Sequence, residues 1–382
     1  MPDADLVHLS YGGLGGHMGV VNTLTHELAK LGLTSGVVAV GPEAELDTST
    51  QSWPGASWVL PVTLDPSNKL RDYGTAFRLA RNVRSRVVLA HTHRLVPGFA
   101  AGQRLAGLQC PIVVAEHNSW SFRTKRDDFS SLLALACSRG LVFLTEDSRA
   151  HYRPATLARA LRRVSRVIPN GLDMRAFSPK SAVSRGSRVR IGTLGRLIPA
   201  KGLEVLVMAV SLVRNAGLEV ELDIAGEGPA RGSLQALAEN EGAAPFVQFI
   251  GHLPRAQVPA FLHSLDIYAH PSMGETLSMA LLEAAASRLP IVACSVPGVE
   301  DVYTNGVDAL LVPPNDASAL AAAIRQAADP DIAAPLGINA RRLVEDHYSS
   351  TRMAERYLDL LKVVSPSGPW GPSAVGKNKE GR

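Results

Sequence analysis

SRVRIGTLGRLIPAKGLEVLVMAVSLV, residues 187–213, holds a short β-branched run, a loop with glycines, and an apolar run of helical length. A strand that empties through a loop into a helix is part of a βαβ unit. Repeats of that unit build a parallel sheet covered by helices. The same alternation extends in both directions from this stretch. Toward the N-terminus it gives candidate strands at 5–10, 36–41, 86–92, 111–117, 140–146 and 163–170. From 187 onward a second series falls at 187–195, 218–226, 245–252, 265–272, 290–296 and 309–314. FSPKSAVSRGS (177–187) separates the two series; it is polar, without periodicity, and the best linker candidate. The expectation is an α/β chain of two doubly wound, Rossmann-like domains: 1–177, a linker at 178–187, and 188–348. Ligands of open α/β sheets bind beyond the carboxyl ends of the strands, so two such domains facing each other would make a cleft. A helical pattern, TRMAERYLDLLK (351–362), follows the second domain. The tail 365–382, rich in Gly, Pro, Ser and Lys, is expected to be disordered.

The size and composition narrow the function. A length of 382 residues suggests two domains. Aromatic residues make up only 5% and the net charge is +4, so neither base stacking nor a strongly basic surface points to nucleic acid. Cys110, Cys137 and Cys294 are scattered and give neither a zinc pattern nor a disulfide framework, which fits a reducing cytoplasm. Asp3 and Asp5 stand where a signal peptide would carry Lys or Arg. The longest apolar runs, such as VLVMAVSLV (205–213), are too short to span a membrane.

Several constellations can carry chemistry. In SMGETLSMALLEAAASRLP (272–290), Glu275 and Glu283 are eight positions apart across the start of an expected helix, close to a whole number of turns. Both acids are then expected near one face, with Glu275 at the helix mouth. A helix N-terminus favours anions, and a nearby pair of acids favours hydroxyls, so the ligand would have an anionic and a polyhydroxyl part. In GTLGRLIPAKG (192–202), Arg196 and Lys201 flank a loop that leads into a helix. They are either a diphosphate site or two solvated surface cations. YGGLGGHMG (11–19) is either a tight strand-to-helix turn or a loop whose glycines approach a phosphate or sugar. IAGEGPARGSLQAL (224–237) reads as turn chemistry, with Arg231 in the first turn of a helix. His91, His93 and His117 end expected first-domain strands. Each is either a satisfied structural histidine or a hydrogen-bonding group facing the cleft. No H-x-x-x-H or H-E-x-x-H spacing suggests a metal, and no nucleophile elbow or phosphate-binding P-loop is present. Basic segments at 71–86 and 153–166 are solvated faces or contacts to an anionic membrane. Trp120 and Phe122 are candidates for packing on an acceptor ring or in the core.

In order along the chain, GGHMGVVNTLTHELAKLG, VIPNGLDMRAFSP, GTLGRLIPAKGLEVLVMAV, DIAGEGPARGSL, FIGHLPRAQVPAFLHSLDIYAHPS and GETLSMALLEAAASRLPIVA resemble the retaining GT-B glycosyltransferases, specifically glycosyltransferase family 4. The resemblance runs from about residue 9 to 362. It implies a GT-B fold and transfer of a hexosyl unit from a UDP- or GDP-sugar to an acceptor hydroxyl with retention. Neither a cofactor nor a metal is implied. Arg196 and Lys201 would bind the donor diphosphate, Glu283 the ribose hydroxyls, and Glu275 the transferred sugar. Backbone N–H groups of Thr276 and Leu277 would touch phosphate or sugar. Gly15 and Gly16 would approach the donor from the first domain, and His117 would lie near the transferred sugar. The loop at Gly251–Leu253 would pass the base. The helix at 349–364 would return to the N-terminal domain. The implied partners are the nucleotide sugar and a sugar-bearing or small-molecule acceptor, in the cytoplasm or peripheral at the inner face of a membrane. One departure stands out: the family commonly has Glu-Gly-Phe-Gly where this chain has Glu275-Thr276-Leu277-Ser278, which bears on the choice of sugar. The alternatives are a GT-B-fold nucleotide-sugar epimerase or phosphorylase, and a non-catalytic nucleotide-sugar-binding protein.

Overall fold

The computed structural model describes residues 3–11, 16–41, 53, 55–63, 69–117, 125–151, 163–179 and 188–368. Contacts divide the chain into two units, Met1–Gly171 with Ser350–Arg382, and Leu172–Ser349.

The first unit carries a seven-stranded parallel sheet. Its strands are β1 (Ala4–Tyr11), β2 (Ser35–Gly41), β3 (Ala56–Thr63), β4 (Ser85–Ala90), β5 (Ile112–Glu116), β6 (Gly140–Phe143) and β7 (Val164–Val167). They lie in the order β3-β2-β1-β4-β5-β6-β7. The second unit carries a six-stranded parallel sheet of β8 (Val189–Leu194), β9 (Val220–Ala225), β10 (Val247–Gly251), β11 (Ile267–His270), β12 (Ile291–Cys294) and β13 (Leu310–Val312). Their order is β10-β9-β8-β11-β12-β13. In each sheet the first strand sits at the point where the order reverses, the switch point of a doubly wound fold.

The composition of the strands follows from this arrangement. A parallel sheet is covered on both faces, so a central strand has no polar side to show. All seven residues of β2 (SGVVAVG) and all four of β12 (IVAC) are buried. The helices are amphipathic instead. In Leu203–Asn215, for example, Leu203, Leu206, Val207, Val210 and Val213 are buried at helical spacing, while Arg214 sits on the last turn.

Strand β3 is absent from the sequence-based expectation. Its residues are half-buried or exposed, and it contains Pro61. Both features mark an edge strand, where proline is tolerated, and β3 lies at the edge of its sheet.

The division between units also falls earlier than the expected 177. Leu172 pairs with Ser349 and its N–H donates to the Tyr348 carbonyl at 2.8 Å. Phe177 is buried and its carbonyl accepts from Arg341 at 2.9 Å; a ring nitrogen of His263 lies 2.6 Å from the Ser178 carbonyl. These contacts tie 172–178 to the second unit. Positions 180–187 of the expected linker and 369–382 of the tail lie outside the described residues.

The helix Ser350–Val364 belongs to the first unit. Met353, Ala354, Tyr357, Leu360, Leu361 and Val364 form its buried stripe, which packs against the helix Gly16–Lys30 and β7. At the junction, Ser350 Oγ donates to Glu27 Oε1 at 3.2 Å, and the Gly171 N–H points at Met353 Sδ at 3.1 Å. Among the described residues no helix is long and apolar enough to cross a membrane.

Leu361 is fully buried. Leu361→Ala is expected to destabilise the first unit by about 2–5 kcal/mol, the range for a buried leucine truncated to alanine. Urea unfolding followed by a probe in each unit checks this. An unmoved first-unit transition would contradict the packing described.

Candidate functional site

In the second unit, the loops after β8 and β11 meet. The chain leaves β8 at Leu194, passes Gly195 and Arg196, makes a 3₁₀ turn over Pro199–Lys201, and enters the helix Leu203–Asn215. Gly202, at the helix entry, has φ +59°, and a Cβ there would stand 2.3 Å from the Pro271 carbonyl oxygen. Both the backbone angle and the close approach require glycine. The Met273 N–H donates to the Ala200 carbonyl at 3.0 Å, lacing the two loops together. On the far side, a Cβ at Gly298 would stand 2.3 Å from the Glu275 carbonyl oxygen, so the loop after β11 is held between two glycines.

This packing brings Lys201 Nζ onto Glu275 Oε1 as an ion pair. His270 Nε2 approaches the same oxygen at 2.8 Å. Burial would push the Glu275 carboxyl up, but the hydrogen bond and charge of His270, with the charge of Lys201, outweigh it and hold the carboxyl at about 2. Beside this cluster is a small, open recess lined by Thr193, Gly195, Arg196, Lys201, Ala225 and His270. Arg196 is exposed, and its guanidinium makes no hydrogen bond or ion pair among the described residues. The site therefore offers one uncommitted guanidinium and one ammonium neutralised by a carboxylate.

The two glutamates do not share a helix face as expected. The helix runs Met279–Ala286, capped by Ser278, whose Oγ accepts from the Leu281 N–H at 3.4 Å. Glu275 therefore sits in the loop before the cap, and only Glu283 lies in the helix. The serine cap moves the helix start to Met279, beyond Glu275. It also gives a role to one residue of the departure noted in the sequence. Ser278 caps the helix, while Thr276 and Leu277 are buried. Glu283 is 2% exposed and pairs with Arg255, which stands in the turn Arg255–Gln257 after β10. Burial pushes the Glu283 carboxyl up, against the pull of Arg255. Arg231, in the first turn of the helix Arg231–Asn240, pairs with Glu227.

In the first unit, His91 and His117 stand just past β4 and β5. They are joined to each other and to His8 of β1. His8 Nδ1 lies 3.2 Å from His91 Nε2, and His91 Nδ1 lies 3.0 Å from His117 Nε2. Burial lowers His8 to about 4, so it is neutral near pH 7. His93 Nδ1 is 3.8 Å from Glu116 Oε2. Gly16 opens the helix Gly16–Lys30. Gly15, Trp120 and Phe122 lie outside the described residues, as do Arg153, Arg159 and Arg162. Part of the basic surface is structural: Arg163 donates to the carbonyls of Leu135 and Ala136, both at 2.8 Å, and Arg86 lies 3.5 Å from Asp5.

Three partners were missed by sequence reasoning: His270, Arg255 and His8. His270 ends a strand five residues before Glu275, the same placement that singled out the first-unit histidines. Arg255 and His8 had no local signal, because their partners are 28 and 83 residues away.

Solved structures share this architecture. The Anabaena protein HepE (Alr3699), crystallised with UDP and glucose, superposes with a TM-score of 0.78 at 19% identity, over 94% of this chain and 100% of that one. Sucrose-phosphate synthase from Thermosynechococcus elongatus gives 0.77 at 20% identity, over 94% and 99%. Two parallel-sheet units on these templates define a GT-B fold. Models of two families match: "Glycosyltransferase Family 4" over residues 14–176 and "Glycosyl transferases group 1" over 188–329. The chain belongs to the family 4, group 1 glycosyltransferases. Among curated relatives, a putative colanic acid biosynthesis glycosyltransferase of Escherichia coli K12 is 30% identical over 51% of this chain and 50% of its own length. The 2-deoxystreptamine glucosyltransferase of Streptomyces kanamyceticus is 30% identical over 51% and 53%. A GDP-mannose-dependent phosphatidylinositol monomannoside mannosyltransferase of Mycolicibacterium smegmatis is 29% identical over 51% and 55%. The chain spans about half the length of these curated relatives.

The Glu275 carboxyl is depressed in the folded state, so its contribution to stability is present above the usual carboxylate range and lost as pH falls toward about 2. Glu275→Gln is expected to cost about 3 kcal/mol at pH 7, and to flatten the acid limb of the stability profile below about pH 4.5. Denaturant unfolding of both proteins from pH 7 to pH 2 measures this; parallel acid limbs would refute it.

Proposed function

We propose that the protein transfers a hexosyl unit from a nucleoside-diphosphate sugar to an acceptor hydroxyl, with retention of configuration. The observation that carries this is the cluster at the ends of β8 and β11. There, exposed Arg196 and the Lys201–Glu275–His270 group border one recess. A diphosphate is met by a planar guanidinium that grips two oxygens and an ammonium that acts as a point charge. When it enters, Lys201 turns from the Glu275 carboxylate to a phosphate oxygen, and Glu275 is left to accept from sugar hydroxyls. Glu283 accepts from the ribose, and the N–H groups of Thr276 and Leu277 contact phosphate or sugar.

Catalysis on this reading is differential. As the sugar–phosphate bond lengthens, positive charge grows on the ring and negative charge on the departing diphosphate. Arg196 and Lys201 interact more strongly with the leaving group than with the intact donor. The acceptor attacks from the face the diphosphate leaves, and a diphosphate oxygen takes its proton. The protein then supplies no general base. The two cations also make the reaction metal-independent. UDP and GDP are the proposed carriers, on the strength of the UDP-bound neighbour and the GDP-mannose-dependent relative. The first unit is proposed to supply the acceptor side, with His117 near the transferred sugar.

Arg196→Ala and Lys201→Ala are each expected to raise the barrier by about 2–4 kcal/mol, the range for loss of a group that stabilises a developing anion. Turnover should persist in EDTA. Near-normal rates in both variants would sink the assignment, and loss of activity on chelation would sink the metal-independent form. The donor is found by thermal shift with UDP-, GDP-, ADP- and TDP-sugars. The right one, at about 100 times its Kd, stabilises the fold by about 2.7 kcal/mol. Binding without transfer to any acceptor would instead favour a non-catalytic protein.

A further inference from the structure

Two groups converge on one oxygen of Glu275: Lys201 Nζ as an ion pair and His270 Nε2 at 2.8 Å. They differ in how firmly each is held. His270 is the last residue of β11, whose four residues are all buried, and it pairs in register with Ala293 of β12. Its ring stacks on that of Tyr268 at 20°, with centroids 6.2 Å apart. Tyr268 is fully buried, and its hydroxyl lies 3.3 Å from both the backbone nitrogen and the carbonyl of Leu194. The His270 side chain is 4% exposed. Lys201 ends a short 3₁₀ turn and its side chain is 26% exposed. An ammonium on a four-carbon stem can swing where a packed ring cannot.

The contact also sets the His270 ring. Glu275 is held as a carboxylate, which only accepts, so the nitrogen facing it carries the proton. Burial raises the Glu275 carboxyl, and the His270 hydrogen bond is the largest of the effects that together outweigh it. The Glu275 side chain is 11% exposed, so a carboxylate stripped of every partner there is costly. Once Lys201 moves away, His270 is the one partner left to it among the described residues.

We propose that His270 is a positioning residue that retains the Glu275 carboxylate when Lys201 leaves it for the donor diphosphate. This deepens the transferase reading and rests on it for the movement of Lys201. The hydrogen bond then counts for more in the occupied site than in the empty one. Its loss is read as weaker diphosphate binding, beyond any effect on the fold. Held by His270, the carboxylate keeps its place for the sugar hydroxyls while the cation meets the phosphate.

The test is a double-mutant cycle on the full chain, read as the calorimetric Kd for UDP, GDP and inorganic pyrophosphate. His270→Leu removes the N–H, and Glu275→Gln removes the charge that needs it. His270→Leu is expected to weaken binding about 10–100-fold, the range of one hydrogen bond to a charged group. When Glu275 is already Gln, the same change is expected to alter Kd by no more than about 2–3-fold, the scatter of independent sites. His270→Gln brings an amide N–H near the Nε2 position and is expected to recover most of the affinity. His270→Asn is polar but too short to reach Glu275. It is expected to behave as His270→Leu, and it replaces that variant in the cycle if the leucine protein does not fold. An equal loss in both backgrounds would overturn the proposal, because His270 would then act on the diphosphate or the fold and not through Glu275. Unchanged affinity in His270→Leu would overturn it as well, and in either case the transferase reading stands. If none of the three probes binds the wild type, that reading falls and the movement of Lys201 falls with it.

Discussion

Every strand in both sheets runs the same way. That constraint governs the rest of the structure. A parallel neighbour can be reached only by crossing back over the sheet, so helices cover both faces and the central strands become apolar. It also gathers the loops that follow the strands at one edge, beyond the carboxyl ends. Both polar clusters stand there: Lys201, His270 and Glu275 beyond β8 and β11, and His91 and His117 beyond β4 and β5.

Within the second unit, the chemistry depends on carboxylates that are already engaged. Glu275 holds both Lys201 and His270, and Glu283 lies beneath Arg255. Removing either partner would leave a nearly buried charge uncompensated, a costly state. On the proposed function, the donor does not enter a vacant set of charges. It exchanges one set of partners for another, and Arg196 is the group that can meet the incoming anion first.

Much of the fold was legible because burial on both faces writes an unambiguous pattern: the runs at 36–41 and 290–296 are apolar with little interruption. Strand β3 was not legible, because an edge strand needs less apolar surface and tolerates Pro61. The boundary was misplaced because composition reports where a chain is polar, whereas the unit ends where contacts change sides, at Leu172. In the site, Glu275, Lys201 and Arg196 were visible as residue types beside expected loops. Their pairing was not, since Lys201 and Glu275 are 74 residues apart and meet only through Gly202 and the loop after β11. The helix start was missed by a few residues because Ser278, rather than the acid before it, makes the cap.

The first unit is discontinuous: residues 172–349 lie between its main body and the helix Ser350–Val364. A ribosome adding about 5–20 residues per second needs on the order of 10–40 s to pass that interval. Throughout it, the face of Gly16–Lys30 that will receive Met353, Tyr357 and Leu361 has no partner, and Glu27 lacks the Ser350 hydroxyl. The second unit is contiguous and can complete itself first. Synthesis therefore imposes an order in which the earlier-made half is finished last, with one apolar face left uncovered until the final helix is made.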